Sequence, residues 1–245
     1  MLNVVDINCD LGEGMPHDAA IMPLVSSVNI ACGGHAGDSG TMAAAVALAL
    51  DHGVAIGAHP GYEDREHFGR RERSLGPRKT VEIVLRQVDA LARIAGSHLR
   101  HMKLHGALYH QAGDDPDIAE AIADALAARW PDLFVIAPAG SELVARARRR
   151  HLRVAEEAFV DRRYGADGRL LPRTHLQAVV AVPDDAAAQA ITLAAAGRVR
   201  TVDGVEIPMH ADTLCIHGDG PDPVGCLTAV RRCLDRAGIG VRAPA

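Results

Sequence analysis

Three polar side chains, Asp6, Asn8 and Asp10, stand at alternate positions of VVDINCD, and alternate residues of a strand share one face of its sheet. Carboxylates and a carboxamide aligned in this way can bind a polar ligand or exchange protons with it. Lys103 and His105 repeat the spacing in HMKLHG, with Met102 and Leu104 directed the other way. A lysine on an inward strand face requires a carboxylate partner or a task, because an unpaired buried ammonium is costly. Further groups follow apolar runs: His35 after NIACGG, His59 after AIGA, and His217 with Asp219 after TLCI. One histidine at a strand end is commonly a hydrogen-bonded structural residue, whereas several at equivalent ends suit general acid and base work. Asp10 and Glu13 fit that work or the capping of a first helix, where an acidic group contributes about 0.3–1 kcal/mol. Arg162 and Arg163, after AEEAF, offer forked donors for a carboxylate or phosphate, or form a solvated charge pair. Asp10, His35, His59 and His217 also make a mixed carboxylate and imidazole donor set for a divalent metal, although ligands so far apart carry no spacing constraint. Tyr109, His110, His52, His67, His98, His101, His151 and His175 read as helix or loop residues with surface or packing roles.

These groups need elements to gather them. Short β-type runs, VVDIN, SVNIA, GVAIGA, HMKLH, LFVIA, RVAEEAF and TLCIHGD, alternate with amphipathic stretches, which argues a parallel sheet wrapped by helices. Val81, Val84, Leu85, Val88, Ala92 and Ala95 repeat at three and four before Gly96, and Asp115 before Pro116 caps another helix. Further helices are expected from about Gly40 to His52, Ser141 to Arg150, Asp185 to Ala196 and Val224 to Ala237. Buried parallel strands normally read as continuous apolar runs, so the inward polar residues point to a barrel lumen, with chemistry in the βα loops at the C-terminal strand ends. Gly12, Gly33, Gly34, Gly37, Gly61, Gly106, Gly218 and Gly220 flank the polar groups and permit tight turns there. Asp203-Gly204 between alternating apolar residues signals a small β-hairpin near 198–210 that decorates the barrel. No linker or internal repeat divides the chain, so 1–245 reads as one domain.

Composition excludes several classes. The 245 residues are 48% hydrophobic and 23% charged, sufficient for a large core, and 26 Lys plus Arg against 31 Asp plus Glu give a net charge of −5. That balance, with seven aromatic residues, lacks the basic footprint and stacking platform of a nucleic-acid binder. The N-terminus has neither a basic n-region nor a long apolar segment, so a cytoplasmic protein without membrane partners is expected. Five cysteines without a CxxC pair suit reduced, buried thiols. GxxxxGK[ST], a kinase glycine loop, GxGxxG opening a helix, HExxH and GxSxG are all absent, so no ATP site of the chain's own is recognisable.

The ordered blocks DINCDLGE (6–13), NIACGGHAGD (29–38), GAHPGYED (57–64), KLHGALY (103–109), AEEAFVDRRY (155–164) and DTLCIHGD (212–219) together resemble the LamB/YcsF family over nearly the whole chain. The resemblance implies an irregular (β/α)7-type, TIM-like barrel of the glycoside hydrolase/deacetylase-like kind. It also implies one subunit of an ATP-dependent 5-oxoprolinase, which converts 5-oxo-L-proline to L-glutamate while ATP becomes ADP and phosphate. ATP is then a co-substrate bound by or with two further subunits, B and C, that resemble an allophanate-hydrolase or carboxyltransferase-like pair. Under that reading Asp10, His35, His59, Lys103, His105 and Asp219 are the expected catalytic residues, and Asp6, Asn8, Glu13, Asn29, Arg162 and His217 bind substrate. A metal-dependent carbohydrate or amide deacetylase-like hydrolase, and a non-catalytic substrate-binding subunit, stand as alternatives. MPHDAA and the arginine-rich DRRY are the departures from the pattern, and the first makes the first βα loop the least determined.

Overall fold

A computed structural model describes residues 4–244. Its strands are β1 (Val4–Leu11), β2 (Ser27–Ala31), β3 (Ala55–His59), β4 (Leu99–Lys103), β5 (Phe134–Pro138), β6 (Arg153–Phe159), β7 (Arg198–Arg200), β8 (Glu206–Pro208), β9 (Thr213–Cys215) and β10 (Gly240–Val241). The helices are α1 (Asp18–Ile21), α2 (Ser39–His52), α3 (Gly76–Ala95), α4 (Gly106–Asp114), α5 (Pro116–Arg129), α6 (Glu142–Arg149), α7 (Pro183–Ala196) and α8 (Pro223–Arg236). The hydrogen-bonded order β1-β2-β3-β4-β5-β6-β9 returns to β1 through β9, so seven strands close a TIM-like barrel with flanking helices. This is the architecture expected from the alternating runs. β10 adds a short parallel pairing at the start of β1, Val4 with Gly240 and Val5 with Val241. An element of two residues carries no period, which is why the sequence does not announce it.

By contact density the chain forms two compact units. The first holds the chain up to Cys9, His17–Ser27, and the chain from Glu157 onward; the second holds Asp10–Pro16 and Val28–Glu156. In the second, α3 buries Thr80, Ile83, Val84, Gln87, Val88, Leu91 and Ala95, one stripe at helical spacing, and stops at Gly96. Helix α2 opens on a capping box in which Asp38 and Thr41 bond each other's backbone N–H, and it ends at Gly53 with φ of 66°. The Asp115 carboxylate caps α5, accepting from the N–H groups of Asp117 and Ile118. In the first unit α7 packs against α8, and β7 and β8 pair antiparallel as a hairpin, Arg198 opposite Pro208 and Arg200 opposite Glu206. The expected turn is there, with Gly204 at φ of 81°.

Among the described residues no helix is long and apolar enough to cross a membrane. The five cysteines are free thiols; Cys9, Cys32, Cys215 and Cys226 are buried and Cys233 is half-buried.

Candidate active site

In the second unit, the ends of four strands and the segments that follow them deliver one buried polar cluster. Asp10 is the penultimate residue of β1, Glu13 follows after the turn at Gly12, and Asn29 lies on β2. The loop after β2 supplies His35, β3 ends with His59, and β4 carries His101 and Lys103. These are the C-terminal strand ends and βα loops, where barrels place their chemistry. The position of His105 corrects the sequence reading. β4 stops at Lys103, so Lys103 and His105 do not share a strand; His105 is the extended residue preceding α4, with φ −102° and ψ 146°.

The residue that does alternate with Lys103 on β4 is His101, which the sequence reading left without a role. It is buried, and its Nε2 lies 2.9 Å from the Asn29 side-chain oxygen, so this nitrogen donates and the proton resides on Nε2. Its ring occupies the space beside Gly57, where an added Cβ would lie 2.0 Å from His101 Nε2. The β3–β4 register shifts between Ile56 and Gly57 at the same place. The same alternation rule that selected Lys103 would have found His101 had the run been read from its first residue.

At the centre of the cluster is a buried ion pair. Lys103 Nζ lies 3.0 Å from Asp10 Oδ1, which also accepts from Asn29 Nδ2 at 2.8 Å. Asp10 Oδ2 is 3.3 Å from His59 Nε2. His59 is held from behind, its Nδ1 2.8 Å from the Lys103 carbonyl, and His105 is held likewise, its Nε2 2.9 Å from the Phe68 carbonyl. A carbonyl accepts only, so Nδ1 of His59 and Nε2 of His105 carry protons, and their other nitrogens face each other at 3.0 Å. Glu13 Oε1 stands 3.0 Å from His35 Nε2, 3.4 Å from His105 Nδ1 and 3.8 Å from His59 Nε2. The His35 and His105 rings stack with centroids 3.6 Å apart, and Phe68 meets both edge-on. Gly69, with φ of 63°, lies where a Cβ would come within 2.8 Å of the His35 Cβ, so the bare backbone lets that ring pack.

The protonation states differ sharply within this group. Burial, helped by the charge on His59, pulls His35 down to about 2. Burial and then the Lys103 ammonium pull His101 down to about 3, and burial with the neighbouring imidazoles leaves His105 well below its ordinary value. His59 goes the other way: burial opposes its charge, but Asp10, aided by Glu13, outweighs that and raises it. Of the four imidazoles His59 is therefore the one most ready to carry a proton, beside the Lys103 ammonium and the Asp10 and Glu13 carboxyl groups, while His35, His101 and His105 favour the neutral form. The cluster can deliver a proton, accept one, and stabilise negative charge on a bound oxygen within a few ångströms. The four residues whose ligand atoms converge within 4.8 Å in this unit are Glu13, His35, His59 and His105.

The other expected site residues, Asp6, Asn8, Arg162, His217 and Asp219, belong to the first unit. Asp6 accepts from Ser26 Oγ at 2.5 Å, Ser27 Oγ at 2.7 Å and Thr213 Oγ1 at 2.6 Å. Asn8 Nδ2 donates to Glu157 Oε1 and to Thr213 Oγ1. Arg162, expected to grip an anion, is buried and directs Nε and Nη2 at the carbonyls of Ala178 and Leu171, bracing the segment after β6. His217 Nδ1 and its backbone N–H both meet Asp161 Oδ2, at 2.8 and 2.9 Å, and Phe159 stacks on the ring. Asp219 Oδ2 lies 3.4 Å from Arg173 Nη1. Asp161 and Glu157 were missed. Both lie within the AEEAFVDRRY block, beside the two arginines.

A model of the LamB/YcsF family matches residues 5–245. The 5-oxoprolinase A subunit of Methylococcus capsulatus is 47% identical to this chain over 251 aligned positions, covering 99% of the chain and 96% of that protein. The structure of a lactam utilization protein from Thermus thermophilus superposes with a TM-score of 0.91 at 42% identity, covering 98% of this chain and all of that one. A family 4 carbohydrate esterase from Streptomyces lividans shares the fold alone, with a TM-score of 0.51, 9% identity and coverage of 99% and 92%. That likeness agrees with the deacetylase-type barrel implied by the sequence blocks. With the match running through every one of those blocks, the chain belongs to the LamB/YcsF family.

Proposed function

We propose that this chain is the A subunit of an ATP-dependent 5-oxoprolinase, acting with two further subunits to turn 5-oxo-L-proline, ATP and water into L-glutamate, ADP and phosphate. The observation that carries the reading is the buried set of Asp10, Lys103 and His59 at strand ends, with the Asp10 carboxylate 3.0 Å from the Lys103 ammonium and 3.3 Å from His59 Nε2. A scaffold has no need of such a set, because burying charges costs more than apolar packing of the same volume. The relatives' names supply the substrate class, a lactam.

A five-membered lactam is a poor acyl donor, which gives ATP its part. Transfer of the terminal phosphoryl group to the lactam oxygen leaves ADP and activates the ring carbon. Water adds to that carbon, the C–N bond breaks as the nitrogen takes a proton, and the resulting acyl phosphate of glutamate yields phosphate to a second water. In this scheme His59 is the proton donor and a neutral imidazole, His35 or His105, or the Asp10 carboxylate receives the proton of water. Lys103 stabilises the developing oxyanion. ATP is bound by or with the partner subunits, since the chain has no familiar phosphate-binding loop.

Reconstitution with the two candidate partners, following glutamate formation and phosphate release, tests this. Lys103→Ala, His35→Ala and Asp10→Ala should each lower turnover by about 10²-fold or more. Full activity in all three would remove the site, and a complex that hydrolyses oxoproline without this chain would make it a binding subunit.

A further inference from the structure

At the centre of the cluster, atoms able to hold a cation converge within 4.8 Å of one another. His59 Nδ1 and His105 Nε2 are committed as donors to the carbonyls of Lys103 and Phe68. What remains, His59 Nε2 and His105 Nδ1, are the two lone-pair nitrogens, and they sit 3.0 Å apart with Glu13 Oε1 3.8 and 3.4 Å away. Three acceptors pointed at one place repel unless something positive lies among them. A single proton on His59 relieves one of these contacts. A divalent cation relieves all of them.

The spacing fits a cation. A tetrahedral ion with bonds of about 2.0–2.1 Å holds its ligand atoms about 3.3–3.4 Å apart, and the three separations of 3.0, 3.4 and 3.8 Å bracket that edge. The backs of both imidazoles are already fixed by carbonyls, the outer support that ligating histidines ordinarily have. His35 differs. Its Nε2 is 3.0 Å from Glu13 Oε1, while its Nδ1 has no hydrogen-bond partner and faces Gly61, where a Cβ would lie 2.8 Å from it. Were Nε2 a ligand, the proton would have to move to Nδ1 and become a buried donor without an acceptor, the costlier of the two states. With the proton on Nε2, His35 instead donates to Glu13 and orients it.

We infer that Glu13, His59 and His105 form a site for one late first-row divalent cation such as Zn²⁺, with His35 as a positioning residue and the fourth coordination position open. Two imidazoles and a carboxylate select such an ion over Mg²⁺ or Ca²⁺, which take oxygen ligands. Three protein ligands with one open position are the arrangement that lets a metal hold water or a substrate oxygen. Binding exchanges the proton on His59 Nε2 for the metal, and no other change in the groups is needed. Metal uptake is read without turnover, so the inference is tested apart from the reaction proposed above; with the ion bound, His59 Nε2 and His105 Nδ1 would no longer exchange protons, and that part of the scheme would pass to Asp10 and to water held at the open position.

The test is direct metal analysis of the full chain as purified, followed by Zn²⁺ titration of the chelator-stripped protein against a chromophoric competitor. One Zn²⁺ per chain with a dissociation constant below about 1 µM is expected, and Co²⁺ in its place should give the strong visible absorption of a tetrahedral centre. His105→Gln, His59→Gln and the near-isosteric Glu13→Gln should each weaken binding by more than about 100-fold, and His35→Gln by only about 10–100-fold. His52→Gln, on the exposed end of α2, should leave it unchanged. Circular dichroism and thermal melts select the variants that fold, and Glu13→Gln, which keeps shape and volume, carries the test if a histidine variant does not. Failure of the stripped wild type to take up Zn²⁺, or equal uptake by wild type and Glu13→Gln, overturns the site. A loss for His35→Gln as large as for His105→Gln overturns the assignment of His35.

Discussion

Two buried polar networks in this protein are built on opposite principles. Around Asp6 every contact joins a donor to an acceptor: Ser26, Ser27 and Thr213 give hydroxyl protons to the carboxylate, and Thr213 in turn accepts from Asn8. Around Glu13 the groups converge instead: His59 Nε2 and His105 Nδ1 lie 3.0 Å apart and Glu13 Oε1 stands 3.8 and 3.4 Å from them, with a single exchangeable proton, that of His59, to share among these three atoms. The first arrangement offsets part of the cost of burial and fixes strand register, pairing Asp6 with Thr213 and Asn8 with Cys215 across β1 and β9. The second leaves chemistry undone until a proton, a cation or a substrate completes it. Buried polarity alone therefore does not mark a site; a surplus of one hydrogen-bonding sense does.

The comparison breaks most visibly at Lys103. Lys103→Met keeps the stem and deletes the charge, leaving Asp10 buried beside His59, and should cost about 3–5 kcal/mol in urea unfolding as well as about 10²-fold or more in turnover. Adding Asp10→Asn removes the carboxylate charge that the lysine balanced. Most of the stability should return and none of the activity. If turnover returned together with stability, the ion pair would be as structural as the Asp6 network, and the distinction would collapse.

Next in size is Thr213→Val, which preserves shape at the hydroxyl that bridges Asp6 and Asn8. Losing that bridge leaves the Asp6 oxygen and the Asn8 amide each short of a buried partner, a cost of about 1–3 kcal/mol. Turnover per folded molecule should stay at the wild-type level. A large fall in turnover with unchanged stability would instead place substrate at Asp6 and Asn8, the role their position on β1 first suggests.

How these networks read in the sequence follows from what a strand period can carry. Alternation placed Asp6, Asn8 and Asp10 on one face of β1, and Pro, Gly and Asx signals placed the helices that follow, because both depend on near neighbours. It could not separate Asp6 from Asp10, since what distinguishes them is their partners: hydroxyls from Ser26, Ser27 and Thr213 for one, and Lys103 for the other. The run HMKLH predicts its strand two residues late, which puts His105 on β4 and leaves His101 among the residues with surface or packing roles. His105 still reaches the cluster because the residue before α4 is extended and its N–H bonds the Pro60 carbonyl, continuing the alternation past the end of β4. Arg162 shows the opposite failure. Nothing local reveals that its fork closes on the carbonyls of Leu171 and Ala178.

The smallest effects distinguish two carboxylates of the first unit by the sign of their pH dependence. Burial pushes Asp6 up, and its three hydroxyl donors only partly offset that. Burial also pushes on Asp161, but His217 outweighs it and holds the carboxyl below its ordinary range. For Asp161 the unfolded chain binds the proton more tightly, so its contribution is full above the unfolded value near 3.8 and is lost as pH falls through the lower folded value. For Asp6 the folded chain holds the proton more tightly. Its contribution is therefore favourable only at acid pH and fades as pH rises from 3.8 through the raised folded value. Urea midpoints measured across the acid range should show Asp161→Asn flattening the loss of stability at low pH. Asp6→Asn, which keeps the shape without the charge, should raise stability at neutral pH relative to acid. A parallel response of the two variants would mean that Asp6 is not held against the cost of its own burial, and that its hydroxyl ring stabilises the carboxylate as fully as His217 stabilises Asp161.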